Sequence, residues 1–179
     1  MNLENKSVLI IGKPGSGKTT LSLKLKKENP DHVILHTDDY INLGYEHALN
    51  KIILDIQRVR KPLIIEGILG YRLLRKGLKE NSYLPDIVIE INISDSDVKK
   101  IYENERNPKK LNNVLSMIKS NNTVLKEYKE MNNPKPPKWV HINRNIWNSC
   151  YKFNEKRTKH WNLYKNWMGT VMNYLFNMY

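Results

Sequence analysis

Gly12-Lys13-Pro14-Gly15-Ser16-Gly17-Lys18-Thr19 (GKPGSGKT, residues 12–19) fits the spacing G-x-x-x-x-G-K-[ST] at every fixed position. It directly follows SVLII (residues 7–11), an apolar run that reads as a strand buried on both faces. It directly precedes TTLSLKLKK, where Leu21 and Leu25 sit four apart on one helical face. A strand, a Gly-rich turn and a helix in that order build a phosphate cradle. Gly12, Gly15 and Gly17 let backbone N–H groups turn inward around phosphate oxygens, where a Cβ would obstruct them. The helix starting near Lys18 points its positive end at the same oxygens. Lys18 is expected to reach the β- and γ-phosphates of ATP, and the Thr19 hydroxyl to hold Mg²⁺. Lys13, Pro14, Ser16 and Thr20 complete the expected ATP-binding segment.

Outward from the loop, strands and helices alternate. Asn29-Pro30 ends the first helix, and HVILH (32–36) is a second short strand followed by the polar turn Thr37-Asp38-Asp39. Ala48, Ile52, Ile56 and Val59 recur at helical spacing between Tyr45 and Arg60. PLIIEG (62–67) is a third buried strand and Leu69–Lys79 a short basic helix. IVIEINI (87–93) follows Pro85 as a fourth strand, and Ser94 or Asp95 caps a helix running to about Arg106. Residues 111–131 form a further helix with Leu111, Leu115, Ile118, Leu125, Tyr128 and Met131 as core positions. PKPPK (134–138) is a stiff connector, WVHI (139–142) an edge-like strand, and 161–176 an amphipathic aromatic helix. Such alternation predicts an α/β fold with a parallel sheet of right-handed β-α-β units. Without an internal repeat or flexible linker, residues 1–179 are expected to form one domain.

Three carboxylates fall where such a sheet gathers its ligands, at the C-terminal ends of neighbouring strands. Asp38 and Asp39 of HTDDY (36–40) leave strand two, and one of them is suited to accept a proton from an attacking hydroxyl beside Mg²⁺. Glu66 leaves a strand whose other residues are apolar, placed to hold the metal shell or position the acceptor. The five histidines show no metal-ligand spacing and read as structural or surface groups. Cys150, the single cysteine, excludes an internal disulfide and reads as an ordinary thiol. No guanine-reading N-K-x-D tetrapeptide occurs, and the chain is too short for a motor core. A kinase is the favoured reading.

The loop GKPGSGKT, the aspartates of HTDDY and the EGIL of IIEGILGY together resemble uridine kinase and its relatives, among them nicotinamide riboside kinase and phosphoribulokinase. The resemblance runs from residue 7 to about residue 108. It implies a three-layer doubly wound P-loop fold of the small-kinase type, with a helical lid at about 104–132; beyond it, composition and helical spacing give a C-terminal basic-aromatic helical segment at about 133–179. It implies Asp38 as general base, Glu66 beside the metal, and Arg106 as the lid arginine, with Lys109 and Lys110 nearby. Asp39, Tyr40 and Tyr71 are the expected acceptor-binding residues. The family supplies several lid arginines where this stretch has one, and Ile41 follows Tyr40, so a nucleoside pocket does not carry over residue by residue.

Charge bears on the acceptor. The net charge is +12, but residues 1–105 carry 16 basic and 15 acidic side chains whereas residues 106–179 carry 14 and 3. The basic part is interleaved with Trp139, Trp147, Tyr151, Phe153, Trp161, Tyr164 and Trp167. Lys and Arg hold backbone phosphates and aromatic faces stack on unpaired bases, which favours a DNA or RNA acceptor hydroxyl, at a 5′ end or on a hydroxymethylated base. A free nucleoside or other small alcohol is the alternative acceptor, and an ATP-hydrolysing regulatory switch the third reading. Apolar runs of four or five residues span no membrane, and no secretory signal is visible, so a cytoplasmic location is expected.

Overall fold

A computed structural model describes residues 3–104 and 107–144. Five parallel strands form one sheet in the order β2-β3-β1-β4-β5: β1 (Val8–Gly12), β2 (Val33–His36), β3 (Leu63–Glu66), β4 (Ile87–Asn92) and β5 (Lys138–Asn143). The order reverses at β1, so the loop leaving β1 opens at the switch point of the sheet. Val8, Leu9, Ile10 and Ile11 are each 0% exposed, which is why this strand reads as an unbroken apolar run rather than an alternating one.

Helices cover both faces. On one, α1 (Lys18–Glu28) packs Leu21 and Leu25 onto Val8, Ile10, Ile64 and Ile89. On the other, α2 (Tyr45–Arg58), α3 (Gly70–Lys79) and α5 (Leu111–Glu130) pack onto Leu9, Ile11, Leu63, Ile65 and Val88. Between β4 and α5 runs α4 (Asp95–Asn104), whose Val98, Ile101 and Tyr102 meet Val114 and Ile118 of α5. Truncating a β1 side chain such as Ile10 to Ala costs about 2–5 kcal/mol, because packed neighbours on both sides hold the cavity open.

Local chemistry explains the boundaries. Asn29 ends α1 by carrying the chain away: its Nδ2 donates to Leu25 O (2.8 Å) and its Oδ1 accepts from Leu3 N (2.8 Å). Ser94, not Asp95, caps α4, its Oγ accepting from Asp97 N at 3.0 Å. The polar turn after β2 is a 3-10 helix, Thr37–Leu43. In α5 the inward stripe runs through Val114, Ile118, Asn121, Val124 and Tyr128, and Leu115 is 37% exposed. The expected stripe is thus displaced by one position at Leu115, since a helix of polar character offers two neighbouring apolar rows and packing selects one. The proposed aromatic helix at 161–176, Arg106, Cys150 and the aromatic residues from Trp147 onward lie outside the described residues.

Candidate active site

The Gly-rich loop joins β1 to α1 and turns on left-handed backbone: Gly17, immediately before α1, has φ +97°. A side chain there would be strained although nothing lies within 4 Å of a Cβ, so backbone conformation demands this glycine. Lys18 is 7% exposed, and its Nζ donates to Gly12 O at 3.0 Å and Lys13 O at 3.3 Å. The ammonium is therefore held over the loop, at the place a phosphate oxygen would share. Ser16 Oγ is buried in the same loop with no hydrogen-bond partner, a polar atom that a bound anion would satisfy. Lys13 Nζ bonds Ile93 O (2.9 Å) and Asp95 Oδ1 (2.6 Å), so this side chain ties the loop to the start of α4. Pro14 is buried, and Gly15 has φ +78°. Thr20 is exposed on the first turn of α1.

Glu66 sits at the end of β3 with its side chain 6% exposed. Thr19 Oγ1 donates to both of its oxygens, at 3.2 and 3.3 Å, and His36 Nδ1 donates to Oε1 at 2.5 Å. Sheet register produces this cluster. His36 pairs with Glu66 across β2 and β3, and Ile10 of β1 pairs with Glu66 on its other side, so the three share the face that α1 covers. A hydroxyl and a buried carboxylate, both hard oxygen donors, fit a Mg²⁺ that takes most of its remaining ligands from phosphates and water. Among the described residues no cluster of three His, Cys, Asp or Glu is arranged to hold a metal by itself.

Asp38 stands at the mouth of the site. Its Oδ1 accepts the backbone N–H of Ile68 at 2.7 Å, while Thr37 Oγ1 accepts that of Leu69 at 3.2 Å. These bonds clip the 3-10 helix to the turn between β3 and α3. Gly67 makes the clip possible: it has φ +132°, and a Cβ there would lie 2.4 Å from Asp38 Oδ1 and 2.2 Å from Thr37 Oγ1. Asp38 Oδ2 has no partner among the described residues, and the side chain is exposed.

The other expected site residues are distributed differently. Asp39 is exposed and makes no hydrogen bond among the described residues. Tyr40 OH donates to Asp55 Oδ2 of α2 at 3.0 Å, and burial, then that bond, pushes its pKa up. Tyr71 is 8% exposed and donates to Glu90 Oε1 at 3.4 Å, and burial, then the Glu90 charge, holds its phenol neutral far above the ordinary range. Both hydroxyls are thus engaged away from Asp38. His36, read from the sequence as a structural or surface group, is bonded to Glu66. The clue available in the chain was positional: HVILH ends on His36 as LIIE ends on Glu66, and neighbouring parallel strands bring their last residues side by side.

No family model matches the chain. Among solved structures, shikimate kinase from Acinetobacter baumannii in complex with shikimate is similar at a TM-score of 0.53 and 12% identity, over 88% of this chain and 97% of that one. A gluconokinase from Sinorhizobium meliloti 1021 covers 77% of this chain and 83% of that one, with 14% identity and a TM-score of 0.49. Deoxyadenosine kinase from M. mycoides covers 84% of this chain and 100% of that one, with 14% identity and a TM-score of 0.47. The strand order and the first of these likenesses define the class: an α/β, doubly wound parallel sheet of the small P-loop kinase type.

Proposed function

We propose that the protein is an ATP- and Mg²⁺-dependent kinase that phosphorylates a hydroxyl of a nucleoside-type acceptor, carried within a nucleic acid. The observation that supports the chemistry most is the convergence of Lys18, Thr19, Glu66 and Asp38 at the ends of three neighbouring strands. The acceptor hydroxyl attacks the γ-phosphorus, the bond to the β–γ bridging oxygen breaks, and the proton passes to Asp38 Oδ2, leaving ADP and a phosphate ester. Lys18 and the loop N–H groups neutralise charge on the phosphate oxygens, and Glu66, steadied by His36, fixes the Thr19 side of the metal site. Mg²⁺, when bound there, screens the β- and γ-phosphates. Arg106 is assigned to the closing lid. Positioning and electrostatics supply nearly all the rate enhancement in such transfers.

The nucleic-acid acceptor is supported by the charge of residues 106–179, net +11. Asp38 before the EGIL turn supports the uridine kinase-like group within the class. The test is transfer from γ-labelled ATP to free nucleosides, RNA and DNA oligomers with 5′-hydroxyl ends, and DNA with hydroxymethylated bases, each at two salt concentrations. Label in a polymer that falls steeply with salt is the expected result. Label confined to free nucleosides replaces the polymer by a small alcohol, and hydrolysis without transfer overturns the kinase reading in favour of a switch.

A further inference from the structure

Three elements meet around one guanidinium. Arg72 lies on the first turn of α3, half-buried; its Nη2 donates to Ser120 Oγ of α5 at 2.9 Å, and its Cζ lies 4.6 Å from the ring centre of Tyr45, the first residue of α2. The ring contact uses none of the guanidinium's five N–H donors, so the Ser120 bond is the one protein acceptor it has among the described residues. The neighbouring cations on α3 are treated differently. Arg75 is paired with Glu127 of α5, and Lys76 with Glu46 of α2 and Glu80. The carboxylates of α2 and α5 that reach α3 are therefore engaged, and none faces Arg72. The guanidinium is held on two sides and keeps most of its N–H donors for water or an anion. Its place is also specific. Arg72 follows Ile68, whose N–H holds Asp38, by four residues, so the turn that carries Asp38's partner leads directly into the helix that carries Arg72.

We infer that Arg72, stacked on Tyr45 and steered by Ser120, is a binding site for an anionic group of the acceptor, a phosphate or a carboxylate. The planar fork suits either anion through paired N–H donors. The site restricts the acceptor of the proposed kinase to anionic alcohols, and the assignment of the anion to the acceptor rests on that reading. Tyr45, 57% exposed, leaves ring surface in reach of the same ligand.

Two measurements separate this inference from the kinase reading. In the first, inorganic phosphate is titrated calorimetrically onto the full chain saturated with Mg²⁺ and a non-hydrolysable ATP analogue, so that the loop is already filled. Arg72→Gln is expected to weaken phosphate binding about tenfold or more, the size of one charge-assisted contact. Ser120→Ala, which only frees the guanidinium, is expected to weaken it a few-fold. In the second, acceptors with one hydroxyl in common are compared in transfer assays: a nucleoside, its 3′-phosphate, and a hydroxy acid against its amide. The 3′-phosphate or the acid is expected to be favoured, with the preference lost and the KM for ATP unchanged in Arg72→Gln. Preference for the phosphate identifies a phosphate ligand, and preference for the acid a carboxylate. Equal phosphate binding by wild type and Arg72→Gln overturns the anion site even if transfer is seen. Loss of binding in Arg72→Gln with no transfer to any acceptor keeps the anion site and overturns the kinase.

Discussion

Two carboxylates, on the strands that flank β1 on either side, stand in almost the same company. Glu66 of β3 accepts from Thr19 and His36; Glu90 of β4 accepts from Tyr71 and contacts His141 at 3.2 Å. In each case the histidine is the register partner on the adjacent outer strand, His36 opposite Glu66 and His141 opposite Glu90. The difference lies in the face. Glu66 pairs with Ile10 of β1 and points towards α1 and the phosphate loop, whereas Glu90 pairs with Ile11 and points towards α3. One residue of offset along β1 therefore separates a carboxylate that meets a hydroxyl at the start of the loop helix from one that meets a phenol in the packing layer. His141 also stacks on Trp139, with centroids 6.0 Å apart, and Trp139 packs towards Tyr128 at 6.1 Å. The same residue types thus serve chemistry on one face and cohesion on the other.

Variants can break or sharpen this contrast. The largest effect is expected on the loop itself: Lys18→Ala removes the cation over the phosphate cradle and abolishes turnover, read by label transfer with folding checked by circular dichroism. Glu66→Gln should follow, lowering kcat by about 10²-fold or more while shifting the Mg²⁺ dependence of the rate to higher concentration, as loss of the carboxylate that holds the Thr19 side of the metal site requires. Asp38→Asn should lower the rate by about 10²-fold, the usual worth of a positioned base, with ATP binding kept. If that variant is as fast as wild type, Asp38 is not the base and Asp39 takes its place as the residue to test. Glu90→Gln should behave oppositely, costing about 1 kcal/mol of stability and a few degrees of Tm while leaving kcat within a few-fold. Equal catalytic losses in Glu66→Gln and Glu90→Gln would dissolve the distinction between the two faces.

Much of this arrangement was legible in the chain. The apolar run of β1 followed by G-x-x-x-x-G-K-[ST] specifies a strand, a left-handed turn and a helix through local conformational limits, and these are what the structure shows. The alternation of apolar strands with amphipathic helices required a parallel sheet, and Glu66 stood out as the sole charged residue of its strand. Where the reading missed, tertiary contacts had the casting vote. Tyr40 and Tyr71 carry the hydroxyls expected at an acceptor site, but Asp55 and Glu90 claim them. The sequence left His36 open between a structural and a surface group, and Arg72 carried no signal at all, because the partners of both are supplied by other elements. Leu115 and Val114 are equally apolar neighbours, and the packing of α5 against α4 chose Val114.

Short-range physics accounts for the first kind of information: glycine's freedom, the side-chain periods of strand and helix, and the cap at Ser94 act within a few residues, so each can be read where it stands. Strand order, register and the face each side chain meets are long-range choices. No local pattern states that β3 and β4 both flank β1, yet that order puts Thr19 and His36 on Glu66 and leaves Tyr71 and His141 for Glu90. The cradle for phosphate was written in eight consecutive residues; the company its carboxylate keeps was decided only when strands distant in sequence were laid side by side.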